Sequence, residues 1–341
     1  MGGDFGPEVT IPGAALALKE LPGAKFILFG DERRINPVLA NHPALAAVST
    51  VRHTEKMIGN DEKPSAAIRS GKDSSMRLAI EAVKGGVADC IVSGGNTGAL
   101  MAMSKLILKS LPGIDRPALA SIFPTMKGKT TVLDLGANIV CDAEILVQFA
   151  LLGTVYARVV LGVDNPTVGL LNIGSEEMKG HDQLRAASAI LSNVDLPGRY
   201  HGFIEGNDIP YGTVDVVVTD GFTGNVTLKV VEGVSKLFSQ FTKEALHSTL
   251  LSRIGALLAY PALKKLKKRM DPRMYNGGMF LGLGGICVKS HGGSDDIGFA
   301  NAIKVAANLV EHGFNKRVAY EVEQLMSQES FISSLSAQTN T

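Results

Sequence analysis

Tryptophan is absent from this chain, and cysteine is scarce: three in 341 residues, with no CxxC pair among them. That spacing excludes a disulfide framework or a zinc site of the usual sequence form, and it suits a reducing cytoplasm. Neither sign of charge dominates, since 34 Lys and Arg face 33 Asp and Glu. A net charge of +1 argues against a general nucleic-acid binder. Long charge-free apolar runs are missing too. Residues 1–30 carry Asp4, Glu8, Lys19 and Glu20, which argues against a signal peptide. The most apolar stretch, Ile145–Val163, contains Gln148 and Arg158 and reads as a buried helix running into a strand, not as a membrane span. No P-loop signature and no GxSxG elbow occur. Cys90 and Cys287 fall in apolar strands and Cys141 follows Ile139-Val140, so no activated thiol is expected and direct attack by a bound anion fits better than an acyl-enzyme.

What is present is glycine, 38 residues of it, in a chain 45% apolar and 20% charged. That is ample for a large α/β core. β-rich runs at Lys25–Phe29, Ala46–Arg52, Ala88–Val92, Thr130–Leu135, Thr167–Asn172, Tyr200–Ile204 and Val214–Thr219 alternate with helix-period segments. The helical segments are Glu8–Glu20, Ser74–Gly85, Gly98–Leu111, Ala143–Gly162, His181–Asn193, Asn225–His247 and Asp296–Gln324. The alternation predicts a doubly wound, mostly parallel sheet. One domain over residues 1–330 is expected, with a polar tail at 331–341.

Glycine-rich turns recur where these strands end. Val214–Val218 leads into Asp220 and a Gly-x-x-Gly-Asn turn (Gly221, Gly224, Asn225); Ala88–Val92 leads into Ser93, Gly95, Asn96, Thr97 and Gly98; Thr131–Leu135, containing Asp134, leads into Gly136–Asn138. Free N–H groups at a helix start, with glycine to allow close approach, make an anion site. Three such turns predict one cleft at the carboxyl ends of parallel strands. A lone glycine turn is often only a packing turn. The SGGNTG turn is not GxGxxG, and no acid follows at dinucleotide spacing, which disfavours NAD. Leu170–Asp182 ends a strand in a polar turn carrying Lys179, a candidate donor to a phosphate or an oxyanion; the bland alternative is a surface lysine. His291 and Ser294 stand in another glycine-rich strand–helix turn, where a lone His is more often structural. Ser74 or Ser75 is a candidate N-cap, and Arg77 suits an acidic partner or phosphate equally.

Composition shifts once, at Ser248–Arg273. Leu250, Ile254, Leu257 and Leu258 fall at helical spacing, Pro261 interrupts, and five of the six residues Lys264–Arg269 are basic (Lys264, Lys265, Lys267, Lys268, Arg269). A helical hairpin is predicted. It is read either as an amphipathic surface helix packed on the core or a dimer partner, or as a protrusion meeting a membrane or an acidic protein.

The set MGGD (Met1–Asp4), SSMRLA, SGGNTGALMA, GIDRPALA, DLGAN, VGLLNIGSEEMKG, DVVVTDGFTGNVTLK and HGGSD resembles, in order and over almost the whole chain, the bacterial phosphate acyltransferases of phospholipid synthesis. The resemblance implies a three-layer α/β/α sandwich of the isocitrate/isopropylmalate-dehydrogenase kind, a homodimer, and no metal or organic cofactor. It implies acyl transfer from acyl carrier protein to inorganic phosphate, in the cytoplasm and at the inner membrane face, upstream of a membrane-bound glycerol-3-phosphate acyltransferase. Lys179 and Asn225 match the family's catalytic lysine and asparagine. Asp4, Ser93–Gly98, Asp134, Asn138, Asp220, Gly224, His291 and Ser294 match its phosphate- and substrate-binding pieces, and the basic hairpin matches its peripheral membrane element. Three departures stand out: Phe5 where His is common, Gly94 and Gly293 in place of other small residues, and no strand ahead of MGGD. Such a strand is expected upstream. A coenzyme A thioester as donor and a non-catalytic anion-binding regulator stay open as alternatives.

Overall fold

The computed structural model describes residues 1–269, 271, 273 and 276–328; the side chains of Lys267, Lys268 and Arg269 and the expected tail 331–341 lie outside the described residues. The first third holds α1 (Pro7–Glu20), β1 (Phe26–Gly30), α2 (Glu32–Leu39), α3 (Pro43–Ala46), β2 (Ser49–His53), α4 (Pro64–Ser70), α5 (Ser75–Lys84), β3 (Cys90–Ser93) and α6 (Thr97–Leu108). Then come β4 (Ala118–Pro124), β5 (Lys129–Leu133), α7 (Ala143–Tyr156) with a π-helical extension Ala157–Leu161, β6 (Thr167–Leu171), α8 (Asp182–Leu191), β7 (Arg199–Ile204), α9 (Asp208–Tyr211) and β8 (Val216–Val218). The rest is α10 (Gly221–His247), α11 (Leu250–Leu258), α12 (Tyr260–Arg269), β9 (Gly278–Leu281), β10 (Ile286–Lys289), α13 (Asp296–Glu311) and α14 (Phe314–Met326).

An eight-stranded sheet runs β3-β10-β9-β4-β5-β8-β6-β7, and β1 and β2 form a separate parallel pair. Side chains alternate across the large sheet, as the two-residue period of a strand requires. Val216 and Val218 enter one core with α7, α8, α13 and α14. Val217 enters the other, with α4, α5 and α6. Helices therefore cover both faces, and the sandwich is three-layered. Helix α7 with its π-helical extension, Ala143–Leu161, is apolar enough to cross a membrane by length and composition, but 78% of its apolar window is buried, and every residue of α7 itself except Glu144 is buried. That matches its reading as a core helix.

Helix starts are set by side-chain caps. Ser74, Asn96, Asp142, Asp220 and Asp295 each accept an N–H three residues on. The Asp220 cap corrects one expectation: α10 begins at Gly221, so Gly221–Asn225 is its first turn and not a loop ahead of it. The helix expected over 296–324 is two helices, because Gly313 takes the left-handed conformation at φ 60 between them. Ala46, expected to start a strand, ends the short helix α3. The hairpin breaks at Ala259, and Pro261 sits harmlessly in the first turn of α12.

The sheet is mostly parallel but reverses in its middle. Strand β9 is antiparallel to both β10 and β4, and β4 is antiparallel to β5. Strands β3 and β10 run together, as do β5, β8, β6 and β7. Following the signs across β9 and β4 shows that the two parallel sets point in opposite directions. One edge of β1 and one of β3 carry no strand among the described residues. Met1 lies between those strand ends: its amino group donates to Phe29 O at 2.6 Å, and Ser75 Oγ donates to its carbonyl at 3.0 Å.

Candidate active site

The direction reversal decides how the glycine turns are grouped. The carboxyl ends of β5, β8 and β6 share one edge of the sheet; those of β3 and β10 lie on the opposite edge. The single cleft expected from the sequence is thus two groups within one chain. Four strand spacings separate β10 from β8, roughly 19 Å before any strand length is added. Among the described residues no hydrogen bond joins the groups.

The first group contains Lys179 and Asn225. Strands β6 and β8 pair directly, Leu170 beside Val218, so the turns that follow them are neighbours. The Lys179 turn is locked through its backbone. Asn172 Nδ2 donates to Lys179 O at 3.1 Å, Lys179 N donates to Glu176 O at 3.0 Å, and Arg185 reaches Gly180 O at 3.1 Å. The lysine stem passes over Gly174, where a Cβ would come 3.1 Å from Lys179 Cγ. Its ammonium is exposed and makes no salt bridge among the described residues. Asn225 stands in the first turn of α10, is exposed, and donates one Nδ2 hydrogen to Leu135 O at 3.2 Å, so that its NH₂ group keeps a second hydrogen to donate.

Three other residues assigned to this site are structural. Asp134 is completely buried and accepts from Leu119 N, Gly136 N, Ala137 N, Asn138 N and Asn138 Nδ2 at 2.6–3.2 Å. Burial raises its pKa, and those donors act against the shift. Asn138 spends its amide on Asp134 and on Pro117 O at 2.8 Å. Asp220 spends both oxygens on Thr223 as the α10 cap. Gly224 is required for packing, since a Cβ there would fall on the carbonyl oxygen of Asp134.

An apolar rim surrounds this group. Ile139, Val140, Ile173 and Met178 are 70–87% exposed. It continues up α10 as a stripe of Phe222, Val226, Val230, Val234, Phe238 and Phe241, each at least half exposed. In this 27-residue helix only Gly221 and Gly224 are buried.

The second group gathers the β3–α6 and β10–α13 turns around Gly2–Asp4. Ser290 N donates to Ser93 O at 2.9 Å, Asp4 N to Gly292 O at 3.0 Å, and Gly95 N to Ser93 Oγ at 3.2 Å. Helix α6 then opens with Thr97 and Gly98, whose N–H groups are the orphan donors of a helix start. Thr97 is exposed. Asn96 caps α6 and donates to the carbonyls of Gly59, Asn60 and Glu62, so it holds the 59–62 loop and is not available to a ligand. Gly98 abuts Pro64 and Gly95 abuts Met76, close approaches that a side chain would disturb. His291 Nδ1 accepts from Gly293 N at 3.1 Å, and Ser294 Oγ receives Asn276 Nδ2 at 3.1 Å. Asp4 Oδ1 receives Asn60 Nδ2 at 3.1 Å.

Two residues here escape a reading of the sequence. Asn276 ties Ser290, Ser294 and His291 together from the strand-free stretch before β9. Lys289 ends β10, where the apolar run ICVK gives no turn signal. Its Nζ donates to Gly94 O at 3.3 Å and to Ser290 O. Burial lowers its pKa to about 8, and Asp4 pulls it back up. The cysteines behave as expected of inert thiols. Burial pushes Cys90 up to about 11, and Cys141 and Cys287 up to about 12. Among the described residues no cluster of metal-ligating side chains occurs.

The three-layer α/β fold is shared with solved structures. A phosphotransacetylase from Streptococcus pyogenes matches with a TM-score of 0.57 at 18% identity over 89% of this chain and 91% of its own. A 4-hydroxythreonine-4-phosphate dehydrogenase from Klebsiella pneumoniae matches at 0.51, with 14% identity over 91% and 96%. A phosphate acyltransferase of Rhodospirillum centenum is 58% identical over 327 residues, 96% of this chain and 92% of that protein. The family model for the fatty acid synthesis protein matches residues 1–317, and the chain belongs to that family. It is an acyltransferase.

Proposed function

We propose that this enzyme transfers a fatty acyl group from the thioester of acyl carrier protein to inorganic phosphate, giving an acyl phosphate for phospholipid synthesis. Phosphate binds at the N–H groups of the Ser93–Gly98 and Ser290–Ser294 turns, with Thr97 and His291 at the rim and Lys289 supplying charge from below. One phosphate oxygen attacks the thioester carbonyl. Lys179 and the second Nδ2 hydrogen of Asn225 donate to the oxyanion that forms, the C–S bond breaks, and the carrier leaves as a thiolate that takes a proton from water. Phosphate is already anionic at neutral pH, so no strong general base is required. The observation that carries this reading is the juxtaposition of Lys179 and Asn225, both exposed, on the turns after the paired strands β6 and β8. Release of free thiol from long-chain acyl carrier protein, measured with and without phosphate, tests it. Equal rates with acyl coenzyme A would favour the phosphotransacetylase-like alternative. Tight phosphate binding without turnover on either donor would leave an anion-binding regulator.

The charge on Lys289 gives this reading a pH signature. A lysine lowered to about 8 is protonated below that pH and loses its charge above it. The KM for phosphate is therefore expected to rise as the pH passes 8. Lys289→Met should show a higher KM at pH 7 and no rise attributable to this group. A wild-type KM that stays flat from pH 7 to 9 removes Lys289 from the phosphate subsite.

A homodimer is part of the proposal, with the stripe of α10 buried between copies. So is peripheral attachment, from the cytoplasm, to the inner face of the membrane. In α11, Leu250, Leu251, Leu257 and Leu258 are 75–79% exposed, and Lys264 and Lys265 of α12 are exposed beside them. Each basic residue near an anionic surface contributes about 1 kcal/mol. Charge reversal at Lys264, Lys265, Lys267 and Lys268 is expected to abolish co-sedimentation with anionic vesicles at low salt while soluble turnover persists. A raised KM for acyl carrier protein instead would make the basic row a carrier-docking surface.

A further inference from the structure

We infer that each complete site is built by two copies of this chain: Lys179 and Asn225 of one protomer stand opposite the Ser93–Gly98 and Ser290–Ser294 turns of its partner. The inference rests on the proposed acyl transfer and adds where its parts come from. The transfer needs the anion and the thioester carbonyl within bonding distance. Within one chain the reversal through β9 and β4 puts the oxyanion donors and the anion turns on opposite edges of the sheet. Neither half is sufficient alone. The first offers an ammonium and an amide but no ring of backbone donors. The second offers backbone donors and Lys289, which is turned into the fold onto Gly94 O and Ser290 O.

A second copy is the occupant that the first half fits. Exposed apolar side chains flank both residues along the chain, Ile173 and Met178 beside Lys179 and Phe222 and Val226 beside Asn225, and Gly221 N donates to Asn138 O at 2.7 Å, which ties the segment bearing Ile139 and Val140 to the start of the α10 stripe. At roughly 100 Å² for each exposed side chain, rim and stripe together offer on the order of 1,000 Å², comparable to the ~800 Å² per partner of a stable interface. A monomer exposing that much apolar surface around one helix and its adjoining turns would be unusual. Asn225 lies in the first turn of this same helix, between Phe222 and Val226. An interface that covers the stripe therefore brings the partner to Asn225. Two-fold pairing makes the arrangement reciprocal, so a dimer carries two shared sites.

Subunit complementation tests the idea. Lys179→Ala removes one half and Asp4→Ala with His291→Ala damages the other. The two chains are co-expressed with different tags and the mixed dimer is isolated by passage over both affinity resins. Each variant alone should lose at least 90% of phosphate-dependent thiol release. In the mixed dimer one site carries both defects and the other carries none, so about half of wild-type activity is expected. If sites are confined to single chains, every site in the mixed dimer is damaged and activity stays at the level of the variants; that result overturns the inference. So does failure to recover any two-tag species alongside a monomeric mass by sedimentation, or full activity of the Asp4→Ala, His291→Ala chain by itself. Melting curves of the separate variants show whether each folds. Wild type that releases no thiol with phosphate refutes the proposed reaction, whereas active wild type with no recovery in the mixture refutes only the sharing of sites.

Discussion

Lys179→Ala is expected to lower turnover by about 10²–10³, the usual consequence of losing one oxyanion donor. The loss should fall on kcat, with the KM for phosphate nearly unchanged, because the proposed mechanism holds phosphate at the turns on the other sheet edge. The fold should be unaffected. The lysine head is exposed and its turn is fastened by backbone contacts to Asn172 and Arg185 that alanine keeps. Surface substitutions of this kind usually shift stability by no more than about 0.5 kcal/mol. Steady-state kinetics beside a melting curve check both halves of the expectation. Asn225→Ala should act in the same direction, and the double variant should fall short of the product of the two effects, since both groups serve one oxyanion. Near-normal turnover of Lys179→Ala would take it out of the site.

Much of the fold was legible because its signals are local. The apolar runs feeding β5, β6 and β8 gave their positions to within two residues, and the helices expected from Ala143 and Asp296 start there, behind Asp142 and Asp295, whose side chains reach only three residues on. What could not be read is non-local. Strand β10 is legible from its apolar run before HGGSD, but β9 is four residues set among glycines and β4 ends in a proline, and neither of these has the flanking pattern of a strand–helix unit. Those short strands carry the reversal that divides the glycine turns between two sheet edges. Strand polarity is a property of pairing, and one sequence does not encode it visibly. The site residues show the same limit. Asp134, Asn138 and Asp220 sit in glycine-rich strand ends as ligand-binding residues would, but the carboxylates accept from nearby N–H and O–H groups and the Asn138 NH₂ donates to Pro117 O and Asp134. An Asp that closes a turn and an Asp that faces a ligand share one sequence pattern.

The second large effect concerns that difference. Asp134→Ala is expected to unfold or severely destabilise the protein while removing no group that touches substrate. Oδ1 accepts from Leu119 N, Gly136 N and Ala137 N, and Oδ2 from Asn138 N and Nδ2. The carboxylate thus ties β4 to the turn after β5, beneath the first turn of α10, with no exposure to solvent. Each buried donor left without a partner costs about 1–3 kcal/mol. Water entering the vacated space recovers part of that, yet a net loss of several kcal/mol is large against a total stability of about 5–15 kcal/mol. With an unfolding entropy of about 2.1 cal/mol/K per residue, each kcal/mol moves the melting temperature of a chain of 341 residues by about 1.4 °C, so a fall of roughly 5 °C or more is expected. Asp134→Asn should be intermediate. Its oxygen keeps the three Oδ1 contacts, while its NH₂ group meets the two donors from Asn138. Calorimetry of the three proteins at neutral pH would show the graded series. An Asp134→Ala protein that melts like wild type but has lost turnover would mean that the carboxylate acts on the substrate, and that the five donors around it orient a reactive group and do not bind the fold together.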